Sequence, residues 1–182
     1  MTFQIEKIHH VAYRCNDAKE TVEWYKKNLN MDFLLAFAEN QVPSTKEPDP
    51  YMHIFLDAGN ENVLAFFELP TKPPMGKDAN TPEWVQHIAL RVKDQETLMT
   101  ARAHLEANGV KVLGVTDHGL FHSIYFFDPN GHRLELTYND PAAASKIAQI
   151  TEEMKYEMLE EWTRTKNAPA HTQFLHATEF KN

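Results

Sequence analysis

The sequence predicts an α+β protein made of two tandem repeats of one plan, strand–helix–strand–strand–strand, with a C-terminal helical extension. Three observations carry this. The segment HVAYRCND at His10–Asp17 returns as HIALRVKD at His87–Asp94, with His, Ala, Arg and Asp matched at a constant offset of 87 − 10 = 77. Each copy runs into a helical pattern, and three strand-like segments follow each helix. The copies also end alike, in Phe67-Glu68-Leu69 and in Leu134-Glu135-Leu136.

Module one covers about residues 5–70. Its helix is expected over Ala18–Leu29, with Val22, Trp24, Tyr25 and Leu29 available for packing. Strands are expected at Phe33–Ala38, His53–Asp57 and Val63–Leu69. The stretch Gln41–Pro50 holds three prolines and reads as a loop, and Pro70–Pro82, rich in Pro, Lys and Gly, as the linker between modules. Module two covers about residues 83–138. Its helix is expected over Gln95–Ala107, with Leu98, Ala101 and Leu105 at helical spacing and Asn108-Gly109 as its stop. Its later strands are Val110–Val115, Ser123–Phe127 and Arg133–Tyr138. Residues 1–138 thus form one domain, and 139–182 form the extension. There a helix is expected over Ala142–Lys166, with Met154, Met158, Leu159 and Trp162 on a face that packs on the body or on a second subunit. The tail after Pro169 keeps Phe174, Leu175 and Phe180 for docking.

Composition narrows the function. Of 182 residues 42% are hydrophobic, enough for a core. No apolar run reaches the roughly 18 residues of a membrane span, and MTFQIEKIHH lacks a signal-peptide pattern. Five glutamates between Glu152 and Glu161 would repel an anionic lipid surface. The single Cys15 excludes an intrachain disulfide framework and points to a reducing, cytoplasmic setting. A formal charge of −8 argues against a nucleic-acid surface. The extension favours a homodimer.

Alternation along the strands sharpens the site. Side chains point to opposite faces of a strand in turn. Val11 and Tyr13 oppose His10, Ala12 and Arg14, while Ile88, Leu90 and Val92 oppose His87, Ala89 and Arg91. Leu134 and Leu136 oppose Glu135, and Phe67 and Leu69 oppose Glu68. His10, Glu68, His87 and Glu135 are therefore expected together on the face turned away from the helices. An ordinary antiparallel sheet also has one solvated face. A solvated face, however, more often carries Lys, Thr or Ser in no fixed order than His at both first strands and Glu at both last strands. Two imidazoles and one or two carboxylates are a donor set for a divalent first-row metal.

At these residues the chain resembles the vicinal oxygen chelate superfamily, which includes glyoxalase I, methylmalonyl-CoA epimerase, fosfomycin-resistance proteins, bleomycin-binding proteins and extradiol ring-cleaving dioxygenases. The resemblance runs over about residues 5–138. It rests on the paired H-[VI]-A-x-R-x-x-D starts, on WYKKNLNM and on DPNGHRLEL. It departs at Asn30, where the family usually has Gly, although Asn also tolerates the left-handed conformation. The resemblance implies paired βαβββ modules curling into a cup around a metal, with His10, His87 and Glu135 as its ligands. Glu68 falls at a fourth position, used by glyoxalase I and some epimerases. The stretch TDHGLFHSIYFFDPNGHRLELT also resembles the extradiol pattern, in which His118, Ile124-Tyr125, Asp128-Pro129-Asn130-Gly131 and Glu135 follow in order.

The resemblance implies first an Fe(II)-dependent extradiol-type dioxygenase for a small catechol-like aromatic and O2. In it Tyr125 bonds a substrate oxygen, and His118 or His122 carries the proton. The alternative is a glyoxalase- or epimerase-type lyase or isomerase using Zn, Ni, Mn or Co, with Glu68 as fourth ligand. A third class is a binding module without catalysis, which an intact ligand set disfavours.

Overall fold

Asp17 starts the first helix. Its backbone is extended, and its side chain accepts from Glu20 N at 2.8 Å, satisfying one of the open donors of the first turn. Helix α1 then runs over Ala18–Leu29, as expected, and Asn30 closes it at φ 54°. The left-handed turn expected at this position is thus made by Asn30. In the second repeat Asp94 plays the part of Asp17, accepting from Thr97 N at 2.9 Å, and α2 spans Gln95–Ala107 as expected.

The structure, a computed structural model, describes residues 3–168. It contains two four-stranded mixed sheets. Sheet one holds β1 (Val11–Cys15), β2 (Phe33–Glu39), β3 (Tyr51–Asp57) and β4 (Val63–Glu68) in the order β1-β4-β3-β2. Sheet two holds β5 (His87–Arg91), β6 (Leu113–Asp117), β7 (Phe121–Phe127) and β8 (Arg133–Asn139) in the order β5-β8-β7-β6. Strand β1 runs parallel to β4, while β3 is antiparallel to both of its neighbours. Each repeat is therefore the predicted strand–helix–three-strand plan. Strand β6 starts later than the expected Val110, because Val110 N is used to close α2 on Leu105 O at 3.0 Å, beside Gly109 at φ 80°.

The chain divides into two compact units. One is Met1–Ile88 with Phe127–Leu134, and the other is Ala89–Phe126 with Glu135–Asn182. In unit one, Tyr25 from α1 is fully buried with its ring 5.2 Å from Phe66, and Cys15, Ile54, Leu56 and Leu64 are buried on the same sheet face. Each such large apolar side chain stabilises the fold by roughly 1.5–3 kcal/mol. The β7–β8 turn belongs to this unit. Its Asp128 accepts from Tyr25 OH at 3.1 Å, and from Asn130 N and His132 N at 2.9 and 2.8 Å. Asn130 Nδ2 also reaches Thr21 Oγ1 at 3.1 Å, and Asn130 Oδ1 accepts from Asn16 N at 2.8 Å. In unit two, Leu98 and Leu105 of α2 are buried, as are Ile124, Phe126 and Leu136.

The extension is helical over nearly the expected span but is not one regular helix. A 3-10 turn (Pro141–Ala143) leads to α3 (Ala144–Gln149), a π-helical stretch (Ile150–Met154) and α4 (Lys155–Thr165). Helix α4 buries no residue fully. Leu159 is 58% and Trp162 47% exposed, while Met154 and Met158 are half-buried, so the face expected to pack on the body or on a second subunit is only partly covered in this chain. The expected docking of Phe174, Leu175 and Phe180 lies outside the described residues. Among the described residues no helix is long and apolar enough to cross a membrane.

Candidate functional site

On β8 the strand phase expected from Leu134 and Leu136 holds. Both leucines are buried, and Glu135, between them on β8, points to the opposite face. It is only 3% exposed, and the buried Ser123 hydroxyl donates to its Oε1. The direction is fixed by chemistry, since a carboxylate only accepts. Ser123 Oγ also lies 3.0 Å from Thr137 Oγ1, so three polar side chains of β7 and β8 share one face. Tyr125 lies two residues beyond Ser123, on that same face. It is buried, and its hydroxyl is 2.8 Å from His118 Nε2. Alternation puts Ser123 on the face of Tyr125, but the sequence assigns it no role. Its signal was its even spacing from Tyr125 and Phe127.

His122 lies on the opposite face from Tyr125, contrary to its expected role as a proton carrier. Its ring stacks on Tyr138 (5.1 Å, 17°) and sits between Asp117 and Asp140. Their odd separation on the strand, three residues (125 − 122), accounts for this.

In unit one His10 is exposed, with its ring 6.1 Å from His53 and 5.6 Å from Phe55. His53 was missed in the sequence because apolar neighbours made its segment read only as a core strand. It is 5% exposed and stacks on Phe67 at 3.6 Å, with Phe55 at 4.2 Å and Phe37 at 5.1 Å. Its Nε2 is buried without a hydrogen-bond partner. Burial, and then the neighbouring His10, hold its pKa below the ordinary imidazole range. His87 is exposed, with Nδ1 3.0 Å from Val85 O.

Glu68 departs from expectation. It sits in register with Cys15 and Met52, on the same face of β4 as Leu64 and Phe66, which is the helix face. There its Oε2 accepts from Ala18 N at 2.7 Å, capping the first turn of α1. His10 contacts His53 and Phe55 on the other face. Strand register explains the mismatch. Val92 N donates to Thr137 O at 2.8 Å, a parallel-ladder bond that pairs Val92 with Tyr138 and, three residues earlier, Ala89 with Glu135. In sheet one Ala12 pairs with Ala65, and Ala12 and Ala89 are repeat equivalents (89 − 12 = 77). Ala65, not Glu68, is therefore the counterpart of Glu135.

Residues 7–136 match the Glyoxalase/Bleomycin resistance protein/Dioxygenase superfamily. The chain belongs to this superfamily. A Bacillus subtilis (strain 168) protein named "Putative ring-cleaving dioxygenase MhqA" is 30% identical over 140 residues, which are 75% of this chain and 42% of that protein. The chain thus spans less than half the length of this superfamily relative. The solved glyoxalase family protein from Enterococcus faecalis is 25% identical, with a TM-score of 0.53 over 72% of this chain and 97% of its own. Leishmania major glyoxalase I, described as trypanothione-dependent, matches at a TM-score of 0.60 and 21% identity over 83% of this chain and 99% of its own. At that identity the likeness shows the superfamily fold alone.

A divalent metal is the group the superfamily resemblance implies. Among the described residues no cluster of three or more His, Cys, Asp or Glu stands ready to hold one. By donor type, His10, His87 and Glu135 fit a first-row divalent ion, being two imidazoles and a carboxylate that Ser123 orients. The thiol of Cys15 is buried on the α1 face, and burial pushes its pKa up to about 11, so it offers no thiolate.

Proposed function

We infer that the chain is a metal-dependent, extradiol-type ring-cleaving dioxygenase acting on a small catechol-like aromatic. The observation that carries this reading is the Tyr125–His118 pair on the face of Glu135. A phenol hydrogen-bonded to an imidazole can donate to a substrate oxygen and pass a proton in the same motion. The name of the Bacillus subtilis relative supports the same reaction class.

In this reading His10, His87 and Glu135 hold Fe(II), which when bound supplies electron exchange between a catecholate and O2. Ser123 donates to the Glu135 carboxylate and orients it. Tyr125 bonds the substrate oxygen, and His118 Nε2 exchanges the proton with it. His53 Nε2 is buried without a hydrogen-bond partner, and burial holds the ring's pKa below the ordinary imidazole range. Phe37, Phe55 and Phe67 around it form an apolar aromatic surface suited to an aromatic ring. The lyase or isomerase reading draws less support, because its fourth carboxylate, Glu68, is engaged at the start of α1.

The test is anaerobic reconstitution with Fe(II), with Zn, Ni, Mn and Co in parallel, followed by O2 consumption and ring-cleavage absorbance over a panel of catechols. Fe(II)-specific O2 uptake is expected. Stoichiometric Fe(II) with no uptake across the panel, or no bound metal at all, overturns the reading.

A further inference from the structure

His122 does not share the face of Tyr125, yet it is tied to the turn that carries His118. That turn, residues 117–121, joins the edge strand β6 to β7. His118 N donates to Phe121 O at 3.0 Å, and Gly119 N donates to Asp117 Oδ1 at 2.7 Å. Its tip is held by the start of the C-terminal extension, where Asp140 N donates to Leu120 O at 3.0 Å. The His122 ring spans the same two anchors. Nδ1 lies 3.7 Å from Asp117 Oδ1, and Nε2 lies 3.8 Å from Asp140 Oδ2. Stacking on Tyr138 at 5.1 Å keeps the ring in that plane.

We propose that His122 is a positioning residue: by bridging Asp117 and Asp140 it fixes the 117–121 turn and so holds His118 against Tyr125. A turn on an edge strand is otherwise the kind of segment that moves, and a displacement of about 1 Å is enough to break a hydrogen bond and to cost a reaction heavily. The catalytic consequence rests on the dioxygenase reading, whereas the coupling of His122 to His118 does not.

Two measurements separate the two ideas. The first uses the metal-free full chain with 15N-labelled histidine. In H122F, which keeps a ring against Tyr138, and in D140N, the His118 ring resonances are expected to move towards those of a solvated imidazole, while the far-ultraviolet circular dichroism stays unchanged. The second uses the Fe(II)-loaded enzyme. There each variant is expected to lower kcat by about tenfold with KM unchanged, less than the roughly 100-fold or more that loss of a proton-transfer group itself costs. D140N added to H122F should cost little more, since both break one bridge. His118 resonances unmoved in both variants overturn the proposal, whatever the activity. Should H122F fail to fold, D140N and D117N decide by the same resonances. Moved resonances in a chain that consumes no O2 uphold the coupling and remove the dioxygenase reading.

Discussion

The carboxylate of Glu68 accepts the backbone N–H of Ala18 at 2.7 Å, across the sheet from the face on which His10 meets His53. A residue that sequence marks as a fourth ligand therefore serves the start of a helix. Glu68→Ala is expected to cost about 1 kcal/mol of stability, the usual value of a lost cap, and to leave metal content unchanged. Urea unfolding with metal analysis of the same sample checks both. Loss of metal with stability intact would restore Glu68 to the ligand set.

Replacing any one of His10, His87 or Glu135 by Ala should lower the stoichiometry of bound Fe(II) after reconstitution to near zero. Ser123→Ala should be milder, weakening metal affinity by roughly 10–100-fold, as expected for a group that orients a ligand. Metal titration by competition with a chelator distinguishes the two effects. An S123A protein with wild-type affinity would mean that Ser123 only fills space.

Tyr125→Phe keeps the ring and removes the hydroxyl that meets His118. A fall in kcat of about 100-fold with Fe(II) retained is expected. Steady-state O2 uptake measures it. A loss confined to KM would instead make Tyr125 a binding group.

The alkaline side of the stability curve carries a fourth prediction. Burial, and then Asp128, raise the Tyr25 phenol well above its ordinary value of 10.0, and burial raises Cys15 from 9.0 to about 11. Both groups are neutral in their protonated form, so the unfolded chain loses these protons first as pH rises. The stability they contribute is complete below about pH 9 and falls as pH climbs through 9 to 11 and beyond. Denaturant midpoints from pH 8 to 11 should decline, and Cys15→Ala should flatten the first part of that decline. The same burial predicts that the Cys15 thiol resists thiol reagents at pH 8 until the chain is unfolded.

The sequence was a good guide where one side of a strand was unambiguous. Leu134 and Leu136 flank Glu135, and both are buried, so alternation set its direction correctly. Strand β4 offers no such contrast. Leu64, Ala65 and Phe66 are all buried, so both faces of VLAFFE are apolar and alternation alone has no anchor. What sets the phase there is Tyr25 packing on Phe66, a contact between residues 41 positions apart (66 − 25). His53 was lost for the same reason, as a polar residue within an apolar run. The helices were legible to the residue because Asp17 and Asp94 act locally, through bonds to the third residue on. The interruption of the extension at Ile150–Met154 has no comparable local mark, with neither Pro nor Gly in that stretch.

The Asp128 turn has a consequence for how the repeat can be taken apart. Tyr25 is fully buried, and the acceptor of its hydroxyl comes from a hairpin 103 residues away. A fragment ending at Leu69 would keep every strand and helix of the first repeat, yet it would strand a phenol in the interior and strip Asn16 and Thr21 of Asn130. Duplication is written in the sequence, but the first copy is not self-sufficient. Swapping or shuffling the halves of this protein would have to carry the hairpin tip along with the first repeat rather than with the second, to which its numbering assigns it.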